Sequence, residues 1–118
     1  RHWRAVTFVA LLTLWTWRLV SPIPPDLQAG LNATGEPFLV AKATHLFGYA
    51  LLAALALTLP VARGGRLALV ALLVLHGVGT EVAQTFVPGR TGKAADVLID
   101  WCGIALGALA VRFASRRG

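Results

Sequence analysis

The sequence is poor in charged residues, which make up only 14% of its 118 residues, while 57% are hydrophobic. Its mean hydropathy of +0.70 lies outside the range of ordinary soluble domains and within that of small membrane proteins. The length is that of one domain. We therefore expect a single membrane domain that spans residues 1–118.

Cysteine occurs once, at Cys102. A single cysteine excludes an intrachain disulfide and a metal site built from cysteines. Because Cys102 lies within an apolar run, we expect it to be a small packing residue.

Acidic residues are also scarce, five against eleven Lys and Arg, and the net charge is +6. Some proteins of this charge bind nucleic acid, but here the arginines stand at the ends of apolar runs and form no basic stripe interleaved with exposed aromatics. Membrane topology and anionic lipid explain these arginines better. Nucleic acid is therefore not an expected partner.

Four apolar runs, each long enough to cross a membrane, follow one another along the chain. They cover residues 3–20, 39–59, 66–87 and 94–113. These runs predict an all-α fold, a transmembrane bundle of four helices. A cleaved signal peptide is the alternative for the first run, and the lack of a small-x-small cleavage site before Ser21 favours a membrane span.

Residues 21–38 separate the first two runs and are rich in proline and glycine. A helix that enters this segment cannot continue past Pro22, Pro24 and Pro25. We expect a loop here, lying at the membrane surface.

The distribution of basic residues predicts the orientation of the chain. With four spans, both termini and the loop between the second and third runs share one side, which carries seven Lys and Arg, and the other two loops carry four. The positive-inside rule makes the first side cytoplasmic. We therefore expect a multi-pass protein with both termini in the cytoplasm.

Polar residues of the last three runs fall at one level in the membrane. At ~1.5 Å per helical residue, Glu81, His45 and Asp100 lie roughly 22, 21 and 18 Å from the cytoplasmic helix ends. In a hydrocarbon core of ~30 Å, they lie about 8 to 12 Å beneath the outer surface. Four further polar residues come out nearer the headgroups: Lys42, Gln84, Arg90 and Asp96. The sequence predicts a polar pocket between these spans that opens outward.

Ionisable residues inside membrane spans are costly, so they line cavities, pair with one another or perform chemistry. His45, oriented by Glu81, would be a general base. The remaining members of the candidate site have these roles: Asp96 or Asp100 as the acid, Lys42 and Arg90 as a clamp for a phosphate or carboxylate, and Tyr49 and Gln84 as further substrate-binding residues. The sequence identifies no cofactor.

Several of these residues have structural alternatives. Glu81 and Arg90 would form an ion pair that joins the third span to the following loop, and His45 would be a neutral histidine bonded to a neighbouring helix. Tyr49 would pack with its hydroxyl satisfied, and His76 is expected to hydrogen-bond between helices. A metal site is not expected, because the neighbouring Lys and Arg residues would repel a cation.

Three segments carry a resemblance to a known family: residues 42–49 (KATHLFGY), 81–90 (EVAQTFVPGR) and 96–107 (DVLIDWCGIALG). They resemble the VanZ-like family of small bacterial membrane proteins. The family pattern usually has Asn at the position of Asp100, an acidic residue at that of Lys93 and Asp at that of Ala41. The resemblance implies a place in the bacterial cytoplasmic (inner) membrane, an envelope-facing role and lower susceptibility to teicoplanin-type lipoglycopeptides.

Two functions remain open from the sequence. In the first, the pocket recognises the anionic part of a membrane lipid, a cell-wall precursor or a lipoglycopeptide, with or without catalysis. In the second, the chain is an accessory subunit of a larger membrane assembly, docked through small-residue faces such as Ala50, Ala53, Ala54 and the GxxxG pair Gly103 and Gly107.

Overall fold

The computed structural model describes residues 2–88 and 93–117, and every regular element in these ranges is an α-helix. The helices are α1 (Trp3–Val20), α2 (Pro25–Ala33), α3 (Pro37–Thr58), α4 (Arg63–Gln84) and α5 (Ala94–Arg117). The predicted all-α class is confirmed, with five helices in the described ranges where four were expected.

Three of the described helices, α3, α4 and α5, are long and apolar enough to cross a membrane. Helices α1 and α2 pass the same test only as a pair, and they are bent by 87° at the break between them. The bundle therefore has three candidate spans, or up to four if the bent pair counts as one.

The prediction of a loop over residues 21–38 was wrong, because this segment contains α2. The prolines do end α1, since Ser21 at its C-cap is extended. However, Pro25 is the first residue of α2, a position where the missing N–H costs nothing and the fixed φ suits the helix. Gly35, between α2 and α3, has φ 76°, a conformation that glycine adopts freely.

Helices α3 and α5 form the centre of the bundle and run parallel. The residue numbers of facing pairs increase in the same direction along both helices, from Lys42 opposite Asp96 to Ala50 opposite Gly107. A Cβ atom at Gly103 or Gly107 would collide with a backbone carbonyl of α3. The GxxxG pair thus allows close approach, as predicted, and the neighbour is this chain's own α3.

The apolar core lies below the polar residues, where α1, α3, α4 and α5 meet. Its fully buried members include Leu52, Ala53 and Leu73. The outward faces remain apolar, as with Phe47, which is 70% exposed and suits contact with lipid. Cys102, expected to pack inside, is exposed on the outer face of α5, so the apolar run around it did not indicate burial.

Two arginines close the end of the bundle where α3 stops. Arg4 Nη1 donates a hydrogen bond to the carbonyl oxygen of Thr58 at 2.6 Å, and Arg66 Nε donates to that of Leu59 at 3.1 Å. The last carbonyls of a helix lack partners and carry partial negative charge, so basic side chains stabilise them. The opposite end of α3 carries the candidate site.

Candidate functional site

Two polar pairs join α3 to α5 above the glycines. Lys42 Nζ lies 2.9 Å from Asp96 Oδ1, and His45 Nδ1 lies 3.1 Å from Asp100 Oδ1. Lys42 and His45, three residues apart, lie on one face of α3, and Asp96 and Asp100, four residues apart, lie on one face of α5. The parallel crossing then brings the two faces together.

The inner pair fixes the state of His45. Asp100 is fully buried, and its Oδ1 accepts a hydrogen bond from Nδ1 of His45, which leaves Nε2 as the basic ring nitrogen, since a carboxylate partner selects the tautomer. No residue that the structure describes bonds to Nε2. The second oxygen of Asp100, Oδ2, is buried without a partner among the described residues and packs against Gly77 of α4.

The carboxylate that bonds to His45 differs from the predicted one, Glu81. The carboxylate that orients His45 is that of Asp100. Glu81 is buried, and its Oε1 accepts a hydrogen bond of 2.6 Å from the backbone N–H of Lys93, immediately before α5. An acidic group stabilises the partial positive charge at a helix N-terminus. Glu81 therefore anchors the start of α5.

Gln84, predicted to bind substrate, ties two helix ends together. It is 3% exposed, and its Nε2 donates a hydrogen bond of 2.9 Å to the carbonyl oxygen of Leu19 in the last turn of α1. That carbonyl has no partner within its own helix. Gln84 still lines the cavity described below, but its amide is engaged structurally.

Tyr49, the other predicted substrate-binding residue, lies in the core with no exposed surface. Its hydroxyl lies 2.9 Å from Nδ1 of His76 and 3.3 Å from the hydroxyl of Thr80. This corresponds to the alternative of a packing residue whose hydroxyl is satisfied. With no exposed surface, Tyr49 does not reach the cavity.

His76 bonds to two neighbouring helices, as predicted. Its Nε2 lies 2.7 Å from Oγ1 of Thr16, and that hydroxyl donates its own hydrogen to the carbonyl oxygen of Leu12. Thr16 must therefore accept from Nε2–H, and Nδ1 accepts from the Tyr49 hydroxyl. This assignment makes His76 a neutral link between α1, α3 and α4.

A cavity of about 370 Å³ opens above the His45–Asp100 pair. Its walls include His45, Gln84 and Asp96, and α2 covers it with Gln28, Leu31 and Asn32. The α2 residues were missed because their segment was interpreted as a loop. Their spacing of three and four, which places them on one helix face, was the available signal.

The rim of the cavity carries the lysines. Lys42 and Lys93 share a smaller hollow of about 80 Å³ with His45 and Asp96. The side chain of Lys42 is 43% exposed although it is paired with Asp96, so it reaches both the ion pair and the open space. Arg90, predicted to clamp an anion, lies outside the described residues.

The arrangement provides one oriented base and two rim cations. His45 Nε2 accepts a hydrogen bond from a hydroxyl, a water or a protonated anion, and a carboxylate behind an imidazole is what a general base needs. Asp96 and Glu81, proposed as acid and orienting group, are engaged with Lys42 and the start of α5. Within residues 2–88 and 93–117, no three His, Cys, Asp or Glu side chains are arranged to hold a metal ion.

Comparison with known proteins gives a family match. No curated protein and no solved structure matches the chain. Residues 6–115 match the VanZ/LLP1 family, which confirms the resemblance found in the three polar segments. Together with the apolar helices, this match indicates a membrane protein. The chain belongs to the VanZ/LLP1 family.

Proposed function

We propose that this protein binds the anionic polar group of an amphiphile in the cavity above the His45–Asp100 pair. The amphiphile is a membrane lipid, a cell-wall precursor or a lipoglycopeptide. The observation that carries the proposal is that the cavity adjoins a smaller hollow: the two share His45 and Asp96, and the smaller one is also lined by Lys42 and Lys93. Anionic oxygens accept from lysine, and a protonated oxygen donates to Nε2.

The partly buried position of the site strengthens such contacts. A hydrogen bond to a charged group contributes about 1.5–3 kcal/mol, more than a neutral one. Lys42 already neutralises Asp96, so an arriving anion competes for it or shares it. Lys93 is exposed beside it and supplies a second positive charge.

In the proposed orientation the cavity faces the outer side of the bacterial cytoplasmic membrane. Arg4 and Arg66 lie at the opposite end of the bundle, as do Arg112 and Arg116 of the parallel helix α5. Cytoplasmic ends of membrane proteins are enriched in basic residues. With the bent pair as one span, both termini lie in the cytoplasm, and the polar group is bound in the outer leaflet.

An outward site suits a role in the cell envelope. The family resemblance implies lower susceptibility to teicoplanin-type lipoglycopeptides, and we extend that expectation to this chain. Binding either the antibiotic or the precursor that it attacks would produce this effect. Expression in a susceptible host, with the Lys42→Gln variant as the control, tests this extension.

The binding test uses purified protein in a neutral detergent, with dodecyl phosphate as the probe and native mass spectrometry as the measurement. Lys42→Gln and His45→Ala should each weaken binding by at least about tenfold, because a charged hydrogen bond of about 1.4 kcal/mol or more is lost. Arg116→Gln, which removes a charge from the exposed opposite end, is the matched control and should leave binding unchanged.

Two results would contradict the proposal. One is equal binding of dodecanol, the neutral alcohol of the same chain length, because the phosphate would then contribute nothing. The other is equal loss in Lys42→Gln and Arg116→Gln, because the effect would then come from overall charge.

The accessory-subunit alternative has less support from the surface on which it was based. Three of its five small residues, Gly103, Gly107 and Ala53, are buried inside the chain, where they form the crossing of α3 and α5. Ala50 and Ala54 are half-buried.

A further inference from the structure

The polar cavity continues sideways towards the lipid. A hollow of about 130 Å³ shares Ile23, Leu31, Ala41 and His45 with it. This hollow in turn shares Trp15 and Thr44 with a groove of about 460 Å³ between α1 and α3. The three spaces therefore adjoin one another in a series that leads from the histidine to the outer surface of the bundle.

The groove is apolar and has the length of a lipid chain. Its α3 wall contains Val40, Ala43, Phe47 and Leu51. From Val40 to Leu51 the helix rises about 17 Å at 1.5 Å per residue, close to the ~15 Å half-thickness of a hydrocarbon core. The groove starts beside the polar cavity and runs towards the middle of the candidate span.

Trp15 forms the boundary between the polar and apolar parts. Its ring makes an edge contact with His45, with ring centroids 5.7 Å apart, while it also lines the groove. Gly48 permits this position, because a Cβ atom there would lie 2.7 Å from the ring. The side of α3 next to Trp15 thus changes from polar to apolar within about one helical turn.

We propose that the hydrocarbon chain of the ligand lies in the α1–α3 groove and that the ligand enters the cavity laterally from the bilayer. The inference rests on the proposed function, because the groove matters as the continuation of the anion-binding cavity. It identifies the ligand as a membrane-resident amphiphile with a chain beside its anionic group. A water-soluble anion of the same headgroup chemistry would leave the groove unused.

The geometry favours a lipid chain over a protein as the occupant. The groove lies along a candidate membrane span, where lipid chains surround the helix. It also joins a cavity whose rim carries two lysines, so one molecule with an anionic end and an apolar end fits both parts. A second copy of the chain would supply apolar contact only.

The test uses dodecyl phosphate with a diazirine near the chain end, in nanodiscs of phosphatidylcholine. After photolysis, mass spectrometry locates the labelled residues. Label should concentrate on Phe47, Leu51 and Trp15 and should compete with unlabelled dodecyl phosphate. Inorganic phosphate should compete only at far higher concentration, because it lacks the chain.

The groove is blocked by Ala43→Trp, with Ala105→Trp on the exposed face of α5 as the matched control. Ala43→Trp should weaken binding by about tenfold, which corresponds to about 1.4 kcal/mol, and should abolish labelling in the groove. Ala105→Trp should change neither. Ala43→Leu, a smaller block, provides an intermediate case if the tryptophan variant fails to fold.

Three outcomes overturn the inference. The first is label spread over lipid-facing residues such as Leu75 and Leu98, without an effect of Ala43→Trp. The second is competition by inorganic phosphate at the concentration at which dodecyl phosphate competes. The third is a dimer that disappears in Ala43→Trp, which would make a second copy the occupant. If binding still depends on Lys42 in these cases, the proposed function stands; if it does not, both fail.

Discussion

The pairing of His45 with buried Asp100 predicts that a second substitution will restore stability lost in the first. Replacing His45 by Ala leaves a fully buried carboxylate with neither oxygen bonded to a described residue. Breaking a buried pair in this way costs about 3–5 kcal/mol of the free energy of unfolding. Removing Asp100 as well removes the stranded charge. The double variant His45→Ala/Asp100→Ala should therefore be more stable than His45→Ala alone.

The other single variant, Asp100→Ala, should lose less stability. Asp100→Ala leaves a histidine whose side chain is 16% exposed to the cavity, so water can reach part of the ring, and the cost should be smaller than for His45→Ala. The coupling energy between the two positions should be about 1.5–3 kcal/mol, as for a hydrogen bond to a charged group. Asp100→Asn keeps the acceptor for Nδ1 and should recover part of the loss.

The assay is a double-mutant cycle on reversible unfolding in one detergent, followed by the loss of helical circular dichroism. All four proteins must first give the same helical signal and elute as one species. Additive effects, within about 0.3–0.5 kcal/mol, would mean that the two side chains do not interact. A double variant less stable than His45→Ala would refute the claim that the unpaired Asp100 carboxylate destabilises His45→Ala.

Three further substitutions test other parts of the structure. Gly107→Leu drives a side chain into the backbone at Ala50 and should exceed the usual overpacking cost of about 1–3 kcal/mol, measured by thermal unfolding against Ala105→Leu. Tyr49→Phe leaves the buried Nδ1 of His76 without its donor and should cost about 1–3 kcal/mol by the same measurement. Glu81→Gln keeps a carbonyl oxygen for the N–H before α5 and should cost about 0.3–1 kcal/mol. Its binding of dodecyl phosphate should match the unchanged protein, since Glu81 does not orient His45; loss of binding would contradict that assignment.

The sequence predicts which residues share a level because helical rise depends only on residue number. The depths of His45 and Asp100 follow from this rule, and the two residues do meet. Depth says nothing about rotation about a helix axis. Glu81 has a similar depth but turns towards the start of α5, and no periodicity in α4 alone specifies that direction.

Helix α2 shows a second limit of sequence reasoning. Its proline at the first helical position breaks a preceding helix and starts a new one equally well, so composition favoured a loop. As a result, the residues of α2 that cover the cavity were not predicted. Residues 28, 31 and 32, which line the cavity from α2, could have been recognised only by their shared helical face.

One departure from the pattern that the family resemblance implies concerns Asp100. Asn, which the resemblance implies at this position, would also accept a hydrogen bond from His45 Nδ1. Asp adds a negative charge behind the ring, which makes His45 Nε2 a stronger acceptor. We therefore expect this chain to bind a protonated anion more strongly than its Asp100→Asn variant, and the native mass spectrometry experiment can measure the difference.

The most direct test of the proposed site is the distance from a bound phosphate to the site nitrogens. Solid-state NMR dephasing between ³¹P of dodecyl phosphate and ¹⁵N-labelled side chains measures it in a lipid bilayer. Hydrogen-bonded contact requires the phosphorus to lie about 4 Å from His45 Nε2 and from a lysine Nζ at the rim. Dephasing at both nitrogens is the expected result, and the dephasing at the lysine Nζ should be lost in His45→Ala. Saturable binding without dephasing at His45 would contradict the site described above.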